Sequence, residues 1–433
     1  MSILIKNIEE IYTVEKNHKI IENGYIIIKN GIIKKVGFMK DFDNKNVNNF
    51  EKIIDAKNQI AIPGLINTHT HAAMTLLRGY ADDLPLQTWL EDKIWPFEGR
   101  LRKKDFYWGS KLAVIEMLKT GTTTFSDMYF NMEETAKVVK ETGIRAVLSE
   151  GLIEENDGEK GLKKSIDFAQ KWNNNTNNRI TTMLAPHSPY TCSSDYLIKI
   201  AKNAKKLNIP LHIHLAETEN EVNIIKEKYN TTPTKYLDNL GIFSETNVLA
   251  AHCIYLNDEE INILAKKNVG VAHNPLSNMK LGSGIASISE MLNRDILVSL
   301  ATDGVSSNNN LNLFEEAKIA AYLQKVINKD PSLIDIYDLL EMLTINGAKA
   351  LNIDNLGRIK NGYLADILLI NINDSSYFYP HHNNLSNLFY SANSPKIDTV
   401  IVNGKVLMKD NKLLNIDSNK VFYEIEKRAL ELS

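Results

Sequence analysis

The strongest constraint on this chain is an alternation. Between residues 61 and 355, short β-rich runs alternate with amphipathic helical stretches, and most of the runs have a histidine or aspartate at or beside their C-terminal end. Candidate strands cover 64–69, 122–126, 145–149, 180–185, 210–215, 247–252, 269–273 and 297–302, the seventh being short. Helical stretches at 111–120, 133–142, 194–206, 258–267 and 313–327 fall between or after them, with Asp258 as an expected N-cap. Eight strand and helix units fit an α/β fold of the (β/α)8 TIM-barrel type, which usually takes about 250 residues before insertions.

The two ends of the chain are different. Residues 25–37 place Asn30-Gly31 between two β-branched runs, and residues 398–408 repeat the pattern around Asn403-Gly404. Asn-Gly supplies the positive φ angles of a two-residue hairpin turn. A lone hairpin is marginal in water, so the two ends are expected to pair into one small discontinuous β-sandwich domain. The expected division is 1–60 and 356–433 for that domain and 61–355 for the barrel. The Asn-rich tracts at 173–175 and 308–310 read as loops.

Charge narrows the partners. Fifty Lys+Arg against 53 Asp+Glu leave −3, which argues against a nucleic-acid or membrane-surface partner. Two cysteines cannot build a disulfide framework, and no run approaches the roughly 18 apolar residues of a spanning helix. A cytoplasmic protein is expected.

In such a barrel the C-terminal strand ends open onto the active site. Seven of the ten histidines fall at or beside those ends: His69, His71, His187, His212, His214, His252 and His273. Any one of them alone reads as a core histidine; seven together do not. Residues i and i+2 of a strand share a face, so His69 and His71 can grip one cation. With His214 and Asp303 they form a set of three imidazoles and one carboxylate. That set suits zinc, with iron, manganese or nickel as alternatives. An open site of this kind would lower the pKa of a water to about 7. Glu217, just past strand five, is a candidate proton carrier, while Asp303 could take a proton from the water and His252 could orient it.

The stretches 63–71, 212–217, 251–253 and 301–304 resemble the signatures of the amidohydrolase superfamily in order and strand placement. More narrowly, 74–86, Trp89-Leu90, Trp95-Pro96-Phe97-Glu98 and 273–281 resemble the 5-methylthioadenosine/S-adenosylhomocysteine deaminase family. The resemblance implies zinc-dependent hydrolysis of the adenine amino group, giving an inosine-type nucleoside and ammonia, in a homo-oligomer with one zinc per subunit. It implies His69, His71, His214 and Asp303 as metal ligands and Glu217 as the donor of a proton to the purine ring. It further implies Glu98 on the ribose hydroxyls, Trp89 covering the ligand and His187 beside the nucleoside. From the residues alone, Trp89 reads as packing and Glu98 as a surface charge.

One departure bears on the substrate. Residues 150–179 hold no Arg before Arg179, and Glu150, Glu154 and Glu155 make the start of the stretch acidic, although Lys160, Lys163 and Lys164 follow. Such a segment is expected to disfavour the carboxylate of S-adenosylhomocysteine and to favour 5′-deoxyadenosine, 5′-methylthioadenosine or adenosine. Cytidine-type zinc deaminases need Cys-x-x-Cys, which is missing here. Ala185-Pro186-His187 at strand four offers no lysine for a carbamate-bridged binuclear site. The remaining alternatives are a guanine deaminase or chlorohydrolase-like enzyme and a non-catalytic nucleoside-binding scaffold.

Overall fold

The computed structural model describes all residues except 16, 85, 393, 394 and 433, so Pro85 of the 74–86 block lies outside the described residues. The N-terminal segment forms β1 (Ser2–Tyr12), β2 (Ile20–Lys29), β3 (Ile32–Phe38), β4 (Lys52–Asp55) and β5 (Gln59–Pro63). The middle forms β6 (Leu65–Thr70), β7 (Thr122–Tyr129), β8 (Arg145–Leu152), β9 (Ile180–Thr182), β10 (Ala185–Pro186), β11 (Leu211–Leu215), β12 (Val248–His252), β13 (Gly270–His273) and β14 (Val298–Leu300). The C-terminal segment adds β15 (Ile367–Asn371), β16 (Ile397–Val402), β17 (Lys405–Lys409) and β18 (Lys412–Leu413).

The chain ends build one nine-stranded sheet. They join where β5 pairs antiparallel with β15, from Ile367 opposite Pro63 to Asn371 opposite Gln59. Its core is rich in isoleucine, including Ile3, Ile5, Ile26, Ile28 and Ile367. Both Asn-Gly pairs turn hairpins with positive φ, 53° and 80° at Asn30-Gly31 and 49° and 71° at Asn403-Gly404. The two turns also touch: a Cβ on Gly404 would lie 2.8 Å from the Gly31 Cα, which glycine alone permits.

The middle strands run parallel and close into a ring. Both seams are made by few backbone bonds. Between the fourth and fifth positions, His212 N–H donates to Leu184 O at 3.0 Å and His214 N–H to His187 O at 3.0 Å. Between β14 and β6, Asp303 N–H donates to His69 O at 3.0 Å. Side chains reinforce that second seam: the Asn67 amide donates to Thr302 Oγ1 at 2.7 Å and Thr68 Oγ1 to Leu300 O at 3.1 Å.

The strand expected over 180–185 is broken. It comes as β9 and β10, both paired to β8, with Met183 and Leu184 between them. The seventh strand, β13, is short at four residues, but β9 and β14 have three and β10 two. The expected helices are found as α1 (Lys103–Lys119), α2 (Met132–Thr142), α3 (Ser194–Leu207), α5 (Asp258–Lys266) and α6 (Leu313–Asn328), with α4 (Glu219–Tyr229) after β11. Asn257, not Asp258, caps α5, because its side chain accepts Glu260 N–H while Glu260 accepts Asn257 N–H. Asn308 is no solvated loop residue; it is buried and donates to Thr302 O at 2.7 Å. The final helix α7 (Ser418–Leu432) returns to the barrel, where Arg428 Nε lies 3.1 Å from Asp105 Oδ1 on α1. Among the described residues no helix is long and apolar enough to cross a membrane.

Barrel and sheet are tied by one buried ion pair. Arg145, the first residue of β8, donates to Asp366 through Nε at 2.9 Å and Nη2 at 3.0 Å, and both side chains are at most 2% exposed. Asp366 also accepts Asn403 N–H at 2.7 Å, so the second hairpin turn shares the carboxylate. Removing one partner strands a buried charge. Asp366→Ala is therefore expected to cost about 3–5 kcal/mol in chemical denaturation, and a loss under about 1 kcal/mol, the size of an exposed pair, would contradict this account.

Candidate active site

The site lies where the parallel strands end. His69 and His71 leave β6, His214 leaves β11, His252 ends β12 and Asp303 follows β14. His69, His71 and His214 each offer a ligand atom within 4.8 Å of the others, and so do His69, His252 and Asp303. Asp303 Oδ1 lies 3.4 Å from His69 Nε2 and 3.2 Å from His71 Nε2.

Neighbouring acceptors fix how the imidazoles face. His71 Nδ1 donates to Met128 O at 2.5 Å and His214 Nδ1 to His187 O at 2.8 Å, which turns the Nε2 lone pairs inward. His69 Nδ1 lies 2.9 Å from His212 Nε2, while His69 Nε2 is buried with no hydrogen-bond partner among the described residues. A buried orphan nitrogen aimed at a carboxylate and two imidazoles fits a cation with a nitrogen and oxygen donor set.

The charges respond to burial. Burial lowers His69 to about 4. Burial also works against the charged form of His71, but the hydrogen bond and charge of Asp303 prevail and hold it at about 9. Burial alone would raise Asp303, yet the His69 and His71 imidazoles facing it keep it well below the usual carboxylate range. Its other oxygen is held by two hydroxyls, Ser277 Oγ at 2.7 Å and Ser307 Oγ at 3.0 Å.

Above the cluster a cavity open to solvent is lined by Trp89, Glu98, Tyr129, His187, Glu217 and His252, among others. Glu217 Oε2 lies 3.8 Å from His252 Nε2, and burial pushes the Glu217 carboxyl up. His252 is oriented by Asn278, whose Oδ1 lies 2.8 Å from Nδ1. Trp89 is buried and donates Nε1–H to Ala81 O at 3.1 Å. Glu98 is no free surface charge: Tyr129 Oη donates to it at 2.5 Å inside the cavity. His187 lines the wall, and burial lowers it to about 3.

Two expectations shift. His273 is buried outside the cavity lining, with both ring nitrogens unpartnered among the described residues. The acidic stretch also presents no carboxylate to the cavity. Glu150 is buried against Lys164 at 3.0 Å, and Glu154 accepts Ser193 N–H at the start of α3; only Gly151 and Ile153 of that run reach the wall. His212, Ser277, Ser307, Asn278 and Tyr129 were not assigned roles from sequence. His212 carries a signal, since it shares a strand face with His214; the others sit on short helices after β13 and β14 or at the end of β7.

A closed parallel barrel whose strand ends aim imidazoles and carboxyls into one cavity defines a metal-dependent hydrolase. The amidohydrolase family profile matches residues 60–407. A 5-methylthioadenosine/S-adenosylhomocysteine deaminase of Halothermothrix orenii is 53% identical over 429 residues, 99% of each chain. A 5′-deoxyadenosine deaminase of Methanocaldococcus jannaschii is 48% identical over 404 residues, 93% of this chain and 94% of the relative. Among solved structures, an adenosine deaminase from Xanthomonas campestris with bound zinc superposes with a TM-score of 0.94 at 30% identity, covering 99% of this chain and 98% of that one. The chain belongs to the amidohydrolase family, and within it to the 5-methylthioadenosine/S-adenosylhomocysteine deaminase group.

If the three imidazoles and Asp303 share one cation, the purified chain should bind one divalent ion, and His214→Ala should weaken that affinity at least about tenfold. Metal titration of the two proteins checks this, and equal affinities would remove His214 from the site.

Proposed function

We propose that this protein hydrolyses the adenine amino group of adenosine-type nucleosides, releasing ammonia and the inosine analogue, at one zinc per subunit held by His69, His71, His214 and Asp303. The observation that carries the reading is the juxtaposition of that donor set with Glu217, whose carboxyl is pushed up by burial, on one cavity. The names of the relatives point the same way: deaminases of 5-methylthioadenosine, S-adenosylhomocysteine and 5′-deoxyadenosine.

A divalent metal bound there supplies Lewis acidity that makes hydroxide available near neutral pH. Glu217 donates its carboxyl proton to a ring nitrogen as the amino-bearing carbon gains oxygen; as that carbon–nitrogen bond breaks, the amino group leaves as ammonia with the proton Asp303 took from water, and the remaining hydroxyl proton returns to Glu217. Asp303 accepts a proton from the attacking water, and His252 orients it. Glu98 receives the ribose hydroxyls, Trp89 covers the ligand and His187 bounds the nucleoside. The barrel of 61–355 carries this chemistry, and 1–60 with 356–433 form the sheet domain that supports it. The setting is a cytoplasmic homo-oligomer, acting in salvage of nucleoside by-products.

The 5′ group meets an apolar wall. Ile94, Trp95, Phe130, Ile153 and Leu281 line the cavity, and no Arg or Lys does so among the described lining residues. A carboxylate tail would find no bidentate partner there. Ammonia release should therefore give higher kcat/KM for 5′-deoxyadenosine or 5′-methylthioadenosine than for S-adenosylhomocysteine; the reverse order would refute the preference. Glu217→Ala should keep metal and nucleoside while losing about 10²–10⁴-fold in kcat, and near-normal turnover would exclude it as proton donor.

A further inference from the structure

Glu217 sits on a strained turn. Ala216 before it has φ 50°, a left-handed conformation that a residue with a Cβ rarely adopts. The next residues, Thr218-Glu219-Asn220-Glu221, carry the capping-box pattern at the start of α4, and Thr218 Oγ1 accepts Glu221 N–H at 3.1 Å. The reciprocal bond goes elsewhere. Instead of returning to Thr218 N–H, the buried Glu221 side chain reaches one and two residues further back, accepting Glu217 N–H through Oε2 at 2.9 Å and Ala216 N–H through Oε1 at 2.9 Å.

The opposite side of the same turn is also pinned. Ala216 O accepts Ile254 N–H and Tyr255 N–H, each at 3.0 Å, from the loop that follows His252. Glu221 and that loop clamp one peptide between them, and that peptide carries Glu217 toward His252.

We propose that Glu221 is a positioning residue for Glu217: its two oxygens hold the strained Ala216-Glu217 backbone so that the Glu217 carboxyl points into the cavity. The proposal rests on Glu217 being the proton donor. A carboxylate accepts both N–H groups, whereas Glu221→Gln sets an NH2 against one of them and Glu221→Asp is too short to span both.

The test uses the zinc-loaded full chain with 5′-deoxyadenosine. Glu221→Gln and Glu221→Asp should each lower kcat fivefold or more while KM and bound zinc stay within twofold. Because Glu221 acts through Glu217, Glu217→Ala/Glu221→Gln should be no slower than Glu217→Ala alone. A kcat loss below fivefold, a loss that tracks lost zinc, or a double variant slower than Glu217→Ala would overturn the assignment. If Glu217→Ala is fully active, the proton-donor reading falls and this proposal with it; if Glu217→Ala is inactive while Glu221→Gln is not, only the positioning role falls.

Discussion

Asp303 is where barrel closure and site chemistry meet. Its backbone N–H makes the bond to His69 O that joins the last strand position to the first, and its carboxylate faces the Nε2 atoms of His69 and His71. One residue therefore sets both the register of the seam and the distance between the acidic and basic halves of the cluster. The seam has little else in its backbone to hold it, which explains why Asn67, Thr68 and Thr302 spend their side chains on hydrogen bonds across it. A slip there would move His69 away from Asp303 as well as open the ring.

Around that point the structure spends backbone strain where side chains must be aimed. Ala216, His252, Cys253 and Asp303 all have positive φ, at 50°, 71°, 51° and 61°. All four lie just beyond or at the end of barrel strands, and each either lines the cavity or is next to a residue that does. A residue in such a conformation persists only when its surroundings over-determine it. Here they do: Ser277 and Ser307 hold Asp303, Asn278 holds the His252 ring, and the loop after β12 donates to Ala216 O. The regular strand would have alternated these side chains in and out; the left-handed residue is what redirects the chain after the last inward position.

What could be read from the sequence follows from the range of the physics involved. The Asn-Gly hairpins, the i, i+2 placement of His69 and His71, and most helix spans depend on a few adjacent residues, and they were legible. So was the identity of the group, through blocks spread along nearly the whole chain. Contacts set by distant loops were not. Nothing in residues 150–155 tells that Glu150 will turn to Lys164 and Glu154 to Ser193, so the local acidity suggested a charged cavity wall that the fold does not build. The break between β9 and β10 appears only once both pieces are seen on β8. Tyr129 holding Glu98 needed the approach of two segments 31 residues apart.

The terminal sheet then has a mechanical reason to exist. The strained residues lie at the C-terminal ends of the barrel strands, whereas Arg145 begins β8 at the opposite end and pairs with Asp366 beside β15. A buried ion pair adds little net stability over an apolar core, because both charges lose water; its value lies in what it forbids, since any register that parts the two leaves a charge buried alone. Asp366 binds Asn403 N–H as well as Arg145, and Ala365 N–H donates to Gly31 O at 2.8 Å, so both hairpin turns are referenced to the same two residues. The sheet thus fixes the position of β8 from below. Gly151, near the far end of that strand, lines the cavity, so the wall against which a nucleoside would lie is set by an anchor at the other end of the same strand. Placing the rigid constraint at one end of the strands and the strained, substrate-facing turns at the other lets the loops carry chemistry without the barrel losing its register.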